Sequence, residues 1–260
     1  MRILLLGDFS SFHKNLRDGL RVLGHDAYVA SAGDSWKSID KDIDLNWTGR
    51  GTKKMVWRYK QAIMTRKRLM NYDVLQLMNP IVFKMATRLN NIMVKSLISK
   101  SNKSFLVAAG TDSMYWNEAK TKLRYTPHYD YQAIDQNNLV WSKKYVTKYN
   151  KSLANKVNSV IPILYDYSVG YRDKYKLTNP IAIPIDLEEV KYSENIVVGK
   201  KLRVFHGVSR AGFKGTRFIK EAFSMLEKSY PNDIECVIAD RLPYPEYIKL
   251  LTQANIVVDQ

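Results

Sequence analysis

Between Met1 and Ala109, short apolar runs alternate with segments of helical period, and this alternation constrains the fold more than any single motif. Residues 2–7, 26–31, 73–78 and 104–109 read as strands, and 11–23, 53–70 and 81–99 as helices. Strands separated by helix-length crossovers predict a parallel, doubly wound α/β sheet. Ligands of such sheets sit at the carboxyl ends of the strands. Residues 32–52 are polar, contain Gly33, Gly49 and Gly51, and read as a loop. Residues 113–135 are rich in tyrosine and lack a clear period. A helix is expected at about 136–156, followed by an apolar run at 159–164. Asn179–Asp186 reads as the last strand of a first domain, and 187–200 as a linker.

A second strand–turn–helix pattern lies beyond the linker. The apolar run Leu202–Phe205 leads into His206-Gly207-Val208-Ser209-Arg210-Ala211-Gly212-Phe213-Lys214-Gly215-Thr216, and a helical pattern follows from Phe218 to Leu226. A glycine-rich turn lets backbone N–H groups approach a phosphate. The helix start adds partial positive charge, and Arg210 and Lys214 add full charges. A diphosphate suits such a turn; the alternative is an ordinary βα loop with solvated cations. Neither a Walker lysine nor a GxGxxG pattern is present.

The segment resembles the His-x-x-x-x-Arg/x-x-x-Lys-Gly-Thr signature of nucleotide-sugar glycosyltransferases of the GT-B fold, family-4-like group. The resemblance continues through Phe218–Phe223, Glu235–Asp240, Tyr247–Leu251 and Gln253-Ala254-Asn255-Ile256-Val257-Val258-Asp259-Gln260. At the other end, Leu23-Gly24-His25-Asp26-Ala27-Tyr28-Val29 is similar to the turn into the second strand of such enzymes. The central region, about 35–195, matches only in layout. The resemblance implies two Rossmann-like domains: an acceptor domain at 1–187, a linker at 188–200 and a partial donor domain at 201–260. In the family the strand like Ile256–Gln260 is followed by a glycine-rich loop, a helix carrying a Glu that grips the donor ribose, and several more strand–helix units. A Rossmann-like half normally needs roughly 100–150 residues. The expectation is therefore a C-terminally incomplete glycosyltransferase, inactive as this chain alone, with Ile256–Gln260 as a central strand.

The resemblance also implies roles for particular residues. The first βα loop, Gly7-Asp8-Phe9-Ser10-Ser11-Phe12-His13, would contact the donor diphosphate or the acceptor. Gly7, Ser10 and Ser11 are donor-binding candidates there. His13 is a catalytic candidate, with helix capping as its alternative. Ala108-Ala109-Gly110-Thr111-Asp112 resembles the family's His-Gly-Thr/Ser-Asp segment, but Ala109 stands where the family has histidine. Asp112 is the second catalytic candidate; a turn-forming aspartate is equally compatible. Arg210, Lys214 and Gly215 would hold the diphosphate, and Arg241 and Leu242 would touch the nucleobase. Transfer would be retaining and metal-independent, the two cations replacing a metal.

Composition narrows the classes. The single cysteine, Cys236, falls in an expected buried strand and excludes a disulfide framework. The four histidines, His13, His25, His128 and His206, show no metal-ligand spacing, and no nucleophile elbow occurs. No cofactor is implied beyond the donor substrate. No signal peptide is visible, and no stretch reaches the roughly 18 apolar residues of a membrane span. A cytoplasmic protein, peripheral at the inner face of the cell membrane, is expected. The net charge of +16 favours an anionic surface, lipid or nucleic acid, although lysine-rich coding bias has the same effect on charge.

On a helix over 53–70, Met55, Val56, Tyr59, Ala62, Ile63, Leu69 and Met70 form an expected core stripe. Lys53, Lys60, Lys67 and Arg68 lie opposite, with Trp57 and Met64 among them. Amphipathic residues among cations suit a membrane interface; coverage of Trp57 by another helix is the alternative. The expected partners are thus a nucleotide sugar, a glycan or lipid-linked acceptor and an anionic membrane, with no nucleic acid. Two competing readings are a non-catalytic remnant that binds a membrane or partner, and a basic nucleic-acid-binding α/β protein.

Overall fold

The computed structural model describes residues 1–33, 39–46, 54–83, 87–126, 139–188, 192, 194, 197, 200–208, 212–240 and 242–259. The chain divides into two compact units, the first taking Met1–Leu123 and Asn137–Leu187, the second built on Glu188–Gln260.

The first unit is a six-stranded sheet. Its strands are β1 (Arg2–Leu6), β2 (Asp26–Ser31), β3 (Ile43–Asp44), β4 (Val74–Leu77), β5 (Lys103–Ala108) and β6 (Ser159–Pro162). They lie in the order β3-β2-β1-β4-β5-β6, every pairing parallel. The chain runs outward through β1, β2 and β3, then crosses back to β4 and continues the other way. The carboxyl ends of β1 and β4 therefore flank the switch point, where doubly wound sheets bind ligands.

Alternating residues of β1 serve the two faces of the sheet. Ile3 and Leu5 pack with Ala27, Val29, Leu16 and Leu20 beneath α1 (Phe12–Val22). Leu4 and Leu6 join Leu75, Leu77 and Leu106 in the larger core cluster. That cluster is covered by Ala62 of α2 (Lys54–Arg66), Val94 and Leu97 of α3 (Thr87–Ile98), and Leu153 of α5 (Lys144–Ala154). Each fully buried leucine contributes about 1.5–3 kcal/mol. Strands buried on both faces read as continuous apolar runs, which is why they stand out in the sequence. On the α1 side, buried Arg17 bonds Asp18 at 2.7 Å, Asp40 at 2.8 Å and Asp42 at 3.3 Å, tying the helix to the approach to β3.

Several expected elements differ. The loop at 32–52 contains β3. Residues 81–83 precede the described α3, and Asn90 Oδ1 accepts Val82 N and Phe83 N. Helix α4 (Ser113–Lys122) occupies a stretch with no visible period, because Met114, Tyr115 and Trp116 are all buried in succession. The strand expected at Asn179–Asp186 does not form. The segment leaves β6 after Ile181 N bonds Pro162 O, and prolines 180 and 184 lack the N–H a ladder needs.

The second unit has strands β7 (Leu202–Val208), β8 (Ile234–Asp240) and β9 (Ile256–Val257) in the parallel order β8-β7-β9. Helices α6 (Thr216–Ser229) and α7 (Tyr244–Thr252) complete it. Phe205 is fully buried against the edge of the Tyr247 ring. Strand β9 pairs with β7 and lies at the edge of the described sheet, with Ile256 and Val257 exposed. Cys236 is only half-buried, because β8 is the opposite edge. Among the described residues no helix is long and apolar enough to cross a membrane.

Candidate functional site

The first unit presents the β1–α1 loop at its switch point. Gly7 turns the chain at φ +84°, and its N–H bonds Ala30 O at 2.8 Å. A Cβ there would lie 3.2 Å from Met78 Cβ and 3.3 Å from Val82 Cγ1, so the loop packs directly on the segment after β4. Ser10 and Ser11 both adopt positive φ, 51° and 65°, an uncommon conformation for serine. Their fold-back brings buried Asp8 under the helix start. Asp8 Oδ1 accepts His13 N and Oδ2 accepts Lys14 N, each at 3.0 Å. A carboxylate of the chain itself therefore occupies the anion-favouring end of α1.

His13 is fully buried. Its Nδ1 donates to Gly7 O, and its Nε2 accepts from the Gln76 amide at 3.1 Å; the tautomer follows from those partners. Burial drives its pKa down to about 4, against the opposing pull of the Gly7 bond. The ring is neutral and pins the glycine carbonyl. The unfolded chain takes up this proton near pH 6.5 and the folded chain only near pH 4, so stability is lost as pH falls through that window. The loss should be about 2 kcal/mol between pH 7 and pH 5. Denaturant midpoints at the two pH values should show it, and His13→Gln should flatten the difference. Equal pH dependence in both proteins would remove His13 from the account.

Asp112 follows β5 and caps α4. Its Oδ1 accepts Met114 N and Tyr115 N, both at 2.8 Å, and its Oδ2 accepts the Tyr171 hydroxyl at 2.5 Å. Asn150 extends the network, with Oδ1 3.1 Å from that hydroxyl and Nδ2 donating to Ser113 Oγ at 3.1 Å. Burial raises the Asp112 carboxyl above its usual range, although Tyr171 and the two amides pull the other way. Asp112 borders a hollow of about 40 Å³ together with Asn79, Thr111, Ser113, Trp141 and Asn150. That is room for a few waters at roughly 10–15 Å³ each, and far less than a nucleotide sugar occupies. Trp141 carries a buried indole N–H with no hydrogen-bond partner among the described residues, and an ordered water in this hollow would satisfy it.

The second unit presents the β7–α6 turn. His206 is fully buried. Its Nδ1 donates to Val258 O at 2.9 Å and its Nε2 accepts from Thr216 Oγ1 at 3.0 Å. One ring thus joins the end of β7, the segment after β9 and the first residue of α6. Lys214 repeats this link nearer the surface through an ion pair with Asp259. Gly215 is the N-cap of α6 at φ 56°, with no side-chain cap. The contrast with α1 is direct: one helix start is closed by a buried carboxylate, while the other is preceded by a lysine and a glycine. Leu242 lies after β8, the neighbour of β7, so it shares the carboxyl edge with Lys214 and Gly215. Arg210 and Arg241 lie outside the described residues.

The sequence shows the glycine-lysine-glycine turn. The Asp8 closure, the Tyr171–Asp112–Asn150 network and the His206–Thr216 bond are not visible in it.

The expected core stripe of α2 is partly reversed. Ala62 and Leu69 are buried, but Val56 and Ile63 are exposed, as are Lys60, Met64, Lys67 and Arg68. The helix reaches the core through the small Ala62, and a 3₁₀ turn over Lys67–Leu69 then delivers Leu69. Lys53 and the side chain of Trp57 lie outside the described residues.

No protein-family model matches the sequence, and no curated protein matches it. Two solved structures resemble it over 99% of this chain and 68% of theirs, each at a TM-score of 0.50. One is a protein of Listeria monocytogenes assigned as a UDP-N-acetylglucosamine 2-epimerase, at 10% identity. The other is MnaA of S. aureus, solved with UDP, at 14% identity. At these identities the likeness is one of fold. The fold class expected from the sequence is the one observed: α/β with two Rossmann-like units of the GT-B kind, the second smaller.

Proposed function

We propose that this chain is a nucleotide-sugar enzyme whose β7–α6 turn takes the donor diphosphate, and that its reaction is glycosyl transfer to a glycan or lipid-linked acceptor. The observation that carries the reading is the α6 start. Gly215 caps it without a side chain, Lys214 stands beside it, and His206 ties β7 to Thr216 at the helix start and to Val258. The fold likeness to a UDP-bound structure supports the same class of ligand.

In this reading a diphosphate draws Lys214 away from Asp259 and receives the first-turn amides of α6 along with the positive end of that helix. As the bond between the sugar and the nucleotide breaks, negative charge grows on the leaving phosphate, and Lys214 and Arg210 stabilise it. Arg241 and Leu242 border the nucleobase. His13 and Asp112 act by positioning rather than on reacting atoms. Both are buried, with His13 holding Gly7 and Asp112 holding α4 and Tyr171.

Epimerisation is the second reading, favoured by the name of the Listeria neighbour. Incubation with a panel of nucleotide sugars separates the two. Transfer consumes donor only with an acceptor and yields free nucleoside diphosphate, whereas an epimerase changes the sugar with no acceptor present. Because cations of the chain neutralise the diphosphate, turnover should survive EDTA. Loss of turnover with chelator, restored by Mn²⁺ or Mg²⁺, would overturn that mechanism, and neither conversion nor saturable binding of any nucleotide sugar would overturn the nucleotide-sugar reading itself.

A further inference from the structure

The first unit has a second surface with a distinct chemistry, on the side of its sheet away from α1. Helices α2, α3 and α5 all pack their inner faces on the Leu4–Leu6–Leu75–Leu77–Leu106 cluster. They are joined sideways: Arg66 of α2 donates to Ser96 Oγ of α3 at 2.8 Å, and Asn90 of α3 donates to the Tyr149 hydroxyl of α5 at 3.0 Å. Their outer faces therefore form one layer. None of the three contains an aspartate or a glutamate. By contrast, α1, α4, α6 and α7 each carry at least one, in Asp18, Glu118, Glu221 and Glu246.

The same layer exposes apolar side chains. On α2, Val56 is 71% exposed, Ile63 72% and Met64 65%. Leu89 and Ile92 of α3 and Tyr145 of α5 are also exposed. The Arg66–Ser96 bond sets the register of α2 on α3, so Ile63 and Ile92, one turn earlier on each, lie on neighbouring parts of the layer. Lys60, Lys67, Arg88, Lys144, Lys148 and Lys151 are exposed around them.

We infer that this three-helix layer docks the protein flat on an anionic lipid bilayer. The aliphatic side chains enter the headgroup boundary and the cations meet lipid phosphates and carboxylates. The choice of a bilayer over nucleic acid rests on those aliphatic groups. Val56, Ile63, Met64 and Ile92 gain from an acyl environment and gain little from a sugar-phosphate backbone, while the cations of three helices that themselves contain no aspartate or glutamate complement an anionic surface. This docking is independent of the reaction at the β7–α6 turn.

The test is co-sedimentation of the full chain with vesicles of phosphatidylcholine alone and of phosphatidylcholine with phosphatidylglycerol. Binding should require the anionic lipid and should weaken with salt, since exposed charges are screened beyond about 8–10 Å. Two variants separate the contributions: Ile63→Ser with Ile92→Ser, and Lys60→Glu with Lys67→Glu and Lys148→Glu. Each should bind roughly tenfold or more weakly. Lys220→Glu with Lys228→Glu, on α6, should bind as wild type. All the altered side chains are exposed, so circular dichroism should report unchanged folding. No binding to either vesicle, equal binding to both, or wild-type binding by both layer variants would overturn the inference. Tighter binding to duplex DNA than to anionic vesicles, lost in the same charge variant, would also overturn it.

Discussion

Lys214→Ala should weaken binding of a nucleoside diphosphate by about 10- to 150-fold, the equivalent of losing a charged hydrogen bond worth roughly 1.5–3 kcal/mol. In a form of the protein that turns over the donor, kcat/KM should fall by about 10²-fold or more, because charge on the leaving phosphate is greatest in the transition state. Calorimetric titration and steady-state kinetics check the two parts. Asp259→Ala distinguishes recognition from scaffolding, since Asp259 is the present partner of Lys214. If Lys214 serves only to tie the turn to Asp259, both variants should loosen the unit alike and nucleotide binding should follow stability. If it serves the diphosphate, Asp259→Ala should leave nucleotide binding equal or tighter, because a competing carboxylate has gone. Lys249→Ala, exposed on α7, should behave as wild type in both measurements.

Gly170→Ala should destabilise the protein by about 3 kcal/mol or more, at or above the upper end for overpacking. A Cβ at Gly170 would lie 2.4 Å from Met114 C and 2.5 Å from Met114 O. These are backbone atoms in the first turn of α4, which cannot rotate aside. Relief requires the 166–171 segment to move off α4, and Tyr171 then leaves Asp112. A thermal midpoint lower by roughly 6–12 °C is expected. Gly110→Ala is the comparison. Gly110 has φ +71° and nothing within 4 Å of the added Cβ, so it bears only the left-handed backbone cost of about 1–2 kcal/mol. Similar losses at the two positions would mean that the Gly170 contact relaxes easily.

The order of elements through residue 109 is readable because β1 and the second half of β5 are buried on both faces and so appear as continuous apolar runs, while β4 keeps Val74, Leu75 and Leu77 around a single Gln76. Periodicity fails where burial is all-round or two-sided. Met114, Tyr115 and Trp116 are consecutive and all buried, so α4 shows no stripe. In α2 the expected apolar stripe is broad, and the sequence cannot tell which side of it meets the core; the side with Ala62 does, leaving Val56 and Ile63 outside. At the candidate site, the β7–α6 turn is legible because its glycines, Lys214 and Thr216 sit within one short segment. The supports around it are not, because they join residues far apart in sequence. His206 meets Val258, and Tyr171 meets Asp112 across 59 residues. Asp8 escapes notice for a local reason. Its carboxylate reaches His13 N and Lys14 N only because Ser10 and Ser11 fold back at positive φ, a spacing outside the usual capping pattern.

The two helix starts offer the most direct test of where the diphosphate binds. Titration of the ¹⁵N-labelled chain with UDP should give saturable amide shifts that are largest at Gly215, Thr216 and Arg217, at the α6 start. His13 and Lys14 amides, already held by Asp8, should move little. Largest shifts at residues 13–15, or no saturable shift at 215–217, would contradict the assignment of the β7–α6 turn as the diphosphate site.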